Sequence, residues 1–376
     1  MRRLLSIFVI VLTLSIVGCP PAPKDVTDKK DDVKVLIQPP PKLDSFEHLR
    51  TRVKAAIEQV HARELYTTNA FWTVFHGILG MGLEKATLKD LKTGTKVNAI
   101  DYICDGGEVR GLQFLPTPHG LDVMTANMQS LEGVAQGHQD QFIAEMAQWG
   151  MPSTRKFKVA GKDFTFDDFI RHSTMRASVT KNQELSWAII IISQFHGTDY
   201  AWTNSHGEKL RFEDVVRYEI NAPTDPAACG GTHRLFGFTW AYHLHTKKGG
   251  AKTGVWADTA AKIEEYKELA KKYQSRVDGS LSTEYFKGPG KNPDPQVRIS
   301  TTGHIVEWLA LALTDEELRE PWMQDAVNAL VQMMLEMKAE PIESGALYHA
   351  VHGLQLYYDR VFGTPAPYLP LPPRGK

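Results

Sequence analysis

Residues 229–245, CGGTHRLFGFTWAYHLH, combine a Gly-Gly turn, the start of a helix and three histidines with an aromatic-rich helix. Apolar residues occupy nearly every face of that helix, so it must be covered by protein all round. Other unusually apolar helices in the chain also open on a histidine or close to one. The sequence therefore predicts several buried helices with histidines near their starts.

Outward from this stretch, amphipathic outer helices and apolar inner helices alternate along the chain. Two outer segments are similar in sequence: residues 162–171 (KDFTFDDFIR) lie 46 positions before residues 208–217 (EKLRFEDVVR). A period of that length is typical of stacked helical hairpins. The predicted outer and inner helices are 46–65 with 69–83, 122–131 with 136–149, 163–178 with 183–196, 211–220 with 232–245, 258–273 with 302–313, and 315–338 with 346–361.

These six outer and inner pairs resemble the α/α toroid, the architecture of terpenoid cyclases, protein prenyltransferases, many polysaccharide lyases and several glycosidases. The resemblance covers residues 46–362. It implies an all-α fold in which about six helical hairpins close into a ring. Because no second linker interrupts the chain, residues 43–376 are expected to form a single α/α-toroid domain.

The N-terminus predicts the compartment. Arg2 and Arg3 precede an apolar run over residues 4–17, followed by Gly18 and Cys19, which is the pattern of a signal peptide. The end of this run resembles the lipobox of bacterial lipoproteins, and the resemblance implies removal of residues 1–18 and lipidation of Cys19. The Pro-rich residues 19–42 then read as a disordered tether. We expect a lipid-anchored, extracytoplasmic protein of the cell envelope, with an ordinary secretory signal as the alternative.

Composition and motifs exclude several functions. The formal net charge is −1, which gives no reason to expect a nucleic-acid partner. The chain has no phosphate-binding G-x-x-x-x-G-K-[ST] loop and no G-x-S-x-G elbow, so nucleotide hydrolysis and the common serine-hydrolase chemistry have no support. Cys104 and Cys229 remain once Cys19 is lipidated, either as a disulfide or as two separate buried thiols.

In a toroid the inner helices run parallel, so residues near their starts converge on one rim of the central cavity. A general acid/base site there would use His233 or His304 as the base and Glu307 or Glu184 as the partner carboxylate, with Arg234 holding an acidic substrate. Further residues expected to contact substrate are His76, His138, Trp187, Trp308 and Tyr348.

Two other interpretations of the same residues stay open. Imidazole and carboxylate suit zinc and similar divalent ions, and the candidate metal ligands are His233, His304, His349 and His352, with Glu184 as a further one. Alternatively, each histidine caps or packs at a helix start. The sequence thus favours a carbohydrate-active lyase or hydrolase acting on an acidic polysaccharide, with a non-catalytic envelope protein that binds a glycan or a protein partner as the alternative.

Overall fold

The computed structural model describes residues 37–126, 133–290 and 292–372. These residues are mainly helical, which confirms the predicted helical class. The predicted signal peptide and the lipidation site Cys19 lie outside the described residues. The α-helices are α1 (Phe46–His61), α2 (Phe71–Met81), α3 (Ala99–Cys104), α4 (Gln141–Gln148), α5 (Phe166–Arg176), α6 (Ser186–Phe195), α7 (Phe212–Asn221), α8 (Thr232–Lys247), α9 (Val255–Tyr273), α10 (Pro295–Ala312), α11 (Pro321–Glu336) and α12 (Ser344–Val361).

Burial separates the helices into two sets. The even-numbered helices are buried on nearly all sides: every residue of α4 and all but the last two of α6 are buried. The longer odd-numbered helices bury one face only, as α1 does through Leu49, Val53, Ala56, Ile57 and Val60. Each fully buried Leu, Ile or Phe side chain contributes about 1.5–3 kcal/mol relative to an exposed one, so the inner helices form the core.

The inner helices contact one another in a closed cyclic order. α2 packs against α4, α4 against α6, α6 against α8, α8 against α10, and α10 against α12, which returns to α2. The starts of the first and last members are joined directly, because Trp72 Nε1 donates a hydrogen bond to Glu343 Oε1 at 2.6 Å. The outer helices cover this ring, with α5 on α6, α9 on α8, and α11 on α10.

Glycines let the inner helices approach closely. A Cβ atom on Gly353 of α12 would lie 2.8 Å from the Cα of Glu307 on α10. A Cβ on Gly237 of α8 would lie 2.2 Å from the carbonyl oxygen of Ser186 on α6. Both obstacles are backbone atoms, so a larger residue at either position must push two inner helices apart.

Short strands, which the sequence analysis did not predict, connect inner helices to outer ones. β1 pairs in parallel with β2, and the pairs β2–β3, β4–β5, β6–β7 and β8–β9 are antiparallel. Three hairpins lead directly from their second strand into an outer helix: β3 into α3, β7 into α5 and β9 into α7. The strands are β1 (Leu65–Tyr66), β2 (Thr87–Lys89), β3 (Lys96–Asn98), β4 (Phe114–Thr117), β5 (Gly120–Val123), β6 (Lys156–Val159), β7 (Lys162–Thr165), β8 (Ala201–Thr203) and β9 (Lys209–Arg211).

The repeated motif of the sequence is this strand-to-helix junction. In both copies an aspartate in the first helical turn accepts a hydrogen bond from the backbone N–H of the last strand residue: Asp168 from Thr165 at 2.7 Å, and Asp214 from Arg211 at 2.8 Å. These bonds satisfy donors at the helix start and stabilise it. The first half of each repeat is therefore a strand, and α5 begins at Phe166 instead of the predicted residue 163.

Two further predicted boundaries were wrong. Asp122 and Val123, expected to open an outer helix, end strand β5, and residues 124–126 are not helical; the rest of that predicted helix lies mostly outside the described residues. α10 begins at Pro295, after the N-cap Asp294, and not at residue 302. His304 consequently lies in the third turn of its helix and not at its start.

The ends and cysteines complete the description. The final residues of the predicted tether bind α11, where the N–H of Gln38 donates to Glu336 and Asn328 donates to the carbonyl oxygen of Pro41. The Cys104 thiol is free and accepts a hydrogen bond from Arg155, so the Cys104–Cys229 disulfide does not form. Among the described residues, no helix combines the length and the apolar character needed to cross a membrane.

Candidate functional site

Five histidines meet inside the ring of inner helices. The ring centroid of His233 lies 5.0 Å from that of His138, 5.5 Å from His304 and 5.3 Å from His349. His349 in turn lies 4.4 Å from His304 and 5.3 Å from His76. None of the five is more than 7% exposed. We call these five residues the histidine cluster.

The backbone before α8 places His233. Cys229, Gly230 and Gly231 have φ values of 50°, 63° and 82°, a left-handed run that turns the chain sharply into the helix. A Cβ on Gly231 would lie 2.3–2.5 Å from atoms of Thr224, so this turn accepts only glycine. The Gly-Gly pair of the opening sequence motif thus sets His233 in the first turn of α8, beside the other imidazoles.

A carboxylate from α10 binds two histidines of α12. The Nδ1–H of His349 donates to Glu307 Oε2 at 2.8 Å, and that of His352 donates to Glu307 Oε1 at 2.6 Å. Burial alone would raise the pKa of the Glu307 carboxyl, but the charge and hydrogen bond of His349 and the hydrogen bond of His352 together hold it well below its usual range. Glu307 is therefore ionised and fixes the orientation of both rings.

A second His–Glu pair lies nearer to solvent. His138 Nδ1 lies 2.8 Å from Glu184 Oε2, and the Glu184 side chain is 30% exposed. Burial opposes the charged form of His138, yet the Glu184 carboxylate raises the His138 pKa overall. Burial likewise opposes ionisation of Glu184, and the His138 charge lowers its pKa. The two residues therefore form a hydrogen-bonded pair at the solvent-facing edge of the cluster.

Backbone carbonyls orient two more rings. The Nδ1–H of His76 donates to the carbonyl oxygen of Trp72 at 2.8 Å, and that of His304 donates to the carbonyl oxygen of Ser300 at 2.7 Å. Burial, reinforced by His349, lowers the pKa of His304 to about 3 and that of His76 well below 6.5. Both rings are neutral at pH 7, and each has an Nε2 lone pair.

His233 differs from the other members of the cluster. Both of its ring nitrogens are buried and lack a hydrogen-bond partner within the described structure. Burial and the surrounding histidines hold its pKa well below its usual range. Buried ring nitrogens of this kind call for a ligand, an ion or a water molecule. His243 in the same helix also has two unpartnered ring nitrogens, so the distinguishing feature of His233 is its place among the other imidazoles of the cluster.

Two polar residues of α4, Gln141 and Glu145, also belong to the surroundings of the cluster, and of these Glu145 was not predicted. Gln141 donates to His76 Nε2 at 3.2 Å and to Glu145 Oε1 at 3.0 Å, while its own Oε1 accepts from the N–H of His138. Glu145 is 0% exposed, and burial raises its pKa well above the usual range. A signal was present, because Gln141 and Glu145 are polar residues spaced i, i+4 on an otherwise apolar helix.

The remaining predicted site residues lie in different surroundings. Trp187 belongs beside the cluster, 4.8 Å from the His233 ring. Arg234 is engaged elsewhere, with Nε donating to Glu219 and a terminal nitrogen to the carbonyl oxygen of Pro223. Trp308 is fully buried and donates to Thr239. Tyr348 packs against the position of Gly80, at the interface of α12 with α2.

Three sets of potential ligands have metal-binding composition, one of which is Cys229, His233 and His304. His138, Glu184 and His233 each bring one ligand atom within 4.8 Å of the other two, and His76, Glu145 and His349 do the same. Imidazole nitrogen and carboxylate oxygen are the donors that zinc and related divalent ions take. Comparisons of the chain with protein-family models, with curated proteins and with solved structures gave no match.

Proposed function

We propose that this chain is a lipid-anchored, extracytoplasmic α/α toroid whose histidine cluster holds a divalent metal ion and acts as a hydrolase or lyase on an acidic substrate. The cyclic contacts of the six inner helices support the toroid. Residues 1–19 support the lipid-anchored, extracytoplasmic location by their resemblance to a lipoprotein signal.

The observation that carries the proposal is the unsatisfied state of His233 within a shell of oriented histidines. Histidines that ligate metals typically donate their other ring N–H to a carboxylate or a backbone carbonyl, which fixes the ring and its tautomer. His304 and His349 have this arrangement, with Nδ1 bonded to the carbonyl oxygen of Ser300 and to the carboxylate of Glu307. His233 then contributes a nitrogen that nothing else in the described structure satisfies.

His138, Glu184 and His233 are the ligands we assign to this ion. Two histidines and one glutamate are a ligand set of catalytic zinc sites, in which a fourth position takes water or substrate. Glu184 is the exposed member of the set, so solvent can reach the ion from its side. A bound ion would supply a hydroxide nucleophile at neutral pH and would polarise a substrate oxygen. His304, whose Nδ1–H donates to the carbonyl oxygen of Ser300, lies beside the assigned ligands, 5.5 Å from His233 between ring centroids.

The same geometry limits the kinds of substrate that the site can accept. Arg234 is held by Glu219, so recognition of an acidic group falls to the ion and to His138. An acidic polysaccharide, the substrate class that the envelope address suggests, must approach with an end or a flexible segment, because the cluster is buried. That burial equally favours a second candidate, a non-catalytic envelope protein that binds a glycan or a protein partner and uses the metal only for stability.

Metal analysis and a depolymerisation screen test the proposal together. We expect the purified full-length chain to contain bound divalent ion and to cleave at least one acidic polysaccharide. His233→Ala should lose cleavage and the ion assigned to His138, Glu184 and His233. His243→Ala, a matched change of a buried histidine in the same helix but outside the cluster, should keep both. Absence of metal from the folded wild type would refute the metal site. Bound metal without cleavage would favour the non-catalytic candidate.

A further inference from the structure

We propose that the histidine cluster holds a second divalent cation, bound by His76, Glu145 and His349, beside the ion assigned to His138, Glu184 and His233. This inference rests on the proposed metal function and extends it from a one-ion to a two-ion centre. The cation is of the class that takes nitrogen and oxygen ligands together, such as Zn²⁺, Co²⁺ or Mn²⁺.

The three residues come from three inner helices and converge in the interior. His76 lies in α2, Glu145 in α4 and His349 in α12, and each provides one ligand atom within 4.8 Å of the other two. Both imidazoles have Nδ1 engaged, His76 by the Trp72 carbonyl oxygen and His349 by Glu307. Nε2 then remains for a metal on His349, whereas Nε2 of His76 accepts a hydrogen bond from Gln141 that a bound ion would replace.

Glu145 gives independent evidence for a cation-binding position. Its side chain is fully buried, Oε1 accepts from Gln141, and Oε2 has no hydrogen-bond partner within the described structure. An ionised carboxylate would leave Oε2 without a donor, and a neutral carboxyl would leave its O–H without an acceptor. His76 Nε2 lies 3.9 Å from Oε1, too far for a hydrogen bond. A cation at this point would satisfy the oxygen that neither protonation state satisfies.

Gln141 couples the two positions. Its amide N–H groups reach His76 and Glu145 of the second set, and its amide oxygen accepts from the backbone N–H of His138 in the first. One side chain therefore orients ligands of both sets. The sets are also in direct contact, since the ring centroids of His233 and His349 are 5.3 Å apart. Adjacent ligand sets of this kind occur in hydrolytic enzymes that use two ions.

Stoichiometry tests the second ion separately from the first. The full-length chain is freed of metal with a chelator and titrated with Co²⁺, and bound metal is counted by calorimetry, visible absorption and elemental analysis. Wild type should bind two ions per chain and Glu145→Gln one. His76→Asn should also bind one, and it decides the question if Glu145→Gln does not fold. His243→Asn, equally buried but outside the cluster, should bind two.

The outcomes distinguish the two proposals. One ion in wild type that is retained in Glu145→Gln and His76→Asn would overturn the second position and leave the proposed function intact. Two ions in Glu145→Gln and in His76→Asn would show that the second ion lies elsewhere and would overturn the assignment. Absence of bound ion from folded wild type would overturn both the second position and the metal function on which it rests.

Discussion

Replacing Glu307 by glutamine is expected to lower the free energy of unfolding by about 3 kcal/mol at pH 7. Glu307 accepts hydrogen bonds from His349 at 2.8 Å and from His352 at 2.6 Å, and all three side chains are buried. A hydrogen bond to a charged group contributes about 1.5–3 kcal/mol. The glutamine oxygen can keep one bond, now neutral, but its NH₂ group would meet the other imidazole N–H, leaving a buried donor unsatisfied at a cost of about 1–3 kcal/mol.

The pH dependence provides a second, independent check. The folded-state pKa of Glu307 is below that of a free glutamate, about 4.3–4.5, so its stabilisation is fully present above that value and declines as the pH falls through it. The difference in unfolding free energy between wild type and Glu307→Gln should therefore shrink as the pH is lowered below about 4.5.

Urea denaturation of chelator-treated protein, followed by circular dichroism, measures both effects. Glu316→Gln is the matched control, because Glu316 is exposed in the segment between α10 and α11 and should change stability by less than 0.5 kcal/mol. A loss below about 1 kcal/mol for Glu307→Gln, or a difference that does not vary with pH, would refute the buried ion-pair description of Glu307.

Three further predictions concern packing, a structural ion pair and acid stability. Gly353→Ala should destabilise the fold by about 1–3 kcal/mol in thermal denaturation, because the added Cβ would collide with the α10 backbone. Gly288 has open space around it, so Gly288→Ala should leave the stability unchanged. Equal effects of the two substitutions would argue against the close approach of α12 and α10. Arg234→Met should lower the free energy of unfolding by about 3–5 kcal/mol, because Glu219 would stay buried without its cationic partner. A double variant that also changes Glu219 to Gln should recover part of that free energy. Additive losses in denaturant titrations would contradict the pairing of Arg234 with Glu219. Burial, with the Arg360 charge, lowers the pKa of His243 to about 3, so the unfolded chain binds a proton that the folded chain does not between pH 6.5 and 3. Stability should fall as the pH drops through that window, and His243→Leu should reduce the slope by up to about 1.4 kcal/mol per pH unit; an unchanged slope in unfolding experiments from pH 6 to 4 would count against it.

The pattern of apolar residues was enough to find the inner helices. The sequence predicted α6 and α8 as helices without a polar face, and both are buried at the predicted positions. The hairpins were missed although a signal existed. In β6, Phe157 and Val159 alternate with exposed Lys156 and Lys158, a two-residue period followed by a turn at Ala160 and Gly161. The helical pattern of the following segment hid this shorter one.

Boundaries and partners were harder to predict than helices. Asp294 followed by Pro295 is a strong helix start, yet the apolar run beginning at residue 302 drew the prediction to the wrong point. That error placed His304 at a rim when it lies two turns into α10. Glu307 was expected to assist catalysis, but the contacts that orient its carboxylate toward two histidines of α12 depend on packing between helices, which no local pattern encodes.

The charged residue Arg234 shows a similar limit. An arginine beside a candidate histidine suggests recognition of an acidic substrate, but the Arg234 guanidinium instead donates to Glu219, a residue of the preceding outer helix. A sequence cannot distinguish a cation facing a cavity from one facing the opposite side of its helix when every face of that helix is buried. Glu145 was overlooked for the same reason.

The hydrogen bond between Trp72 and Glu343 joins positions 271 residues apart. The entropy of closing so long a loop rises only with the logarithm of its length, so the final stability of the ring is little affected. Folding speed is affected more, because chains dominated by contacts distant in sequence fold slowly. During synthesis α2 keeps an uncovered apolar face until α12 has emerged. A premature stop before residue 344 would leave both α2 and α10 uncovered, and we expect such truncated chains to aggregate instead of folding with one hairpin fewer.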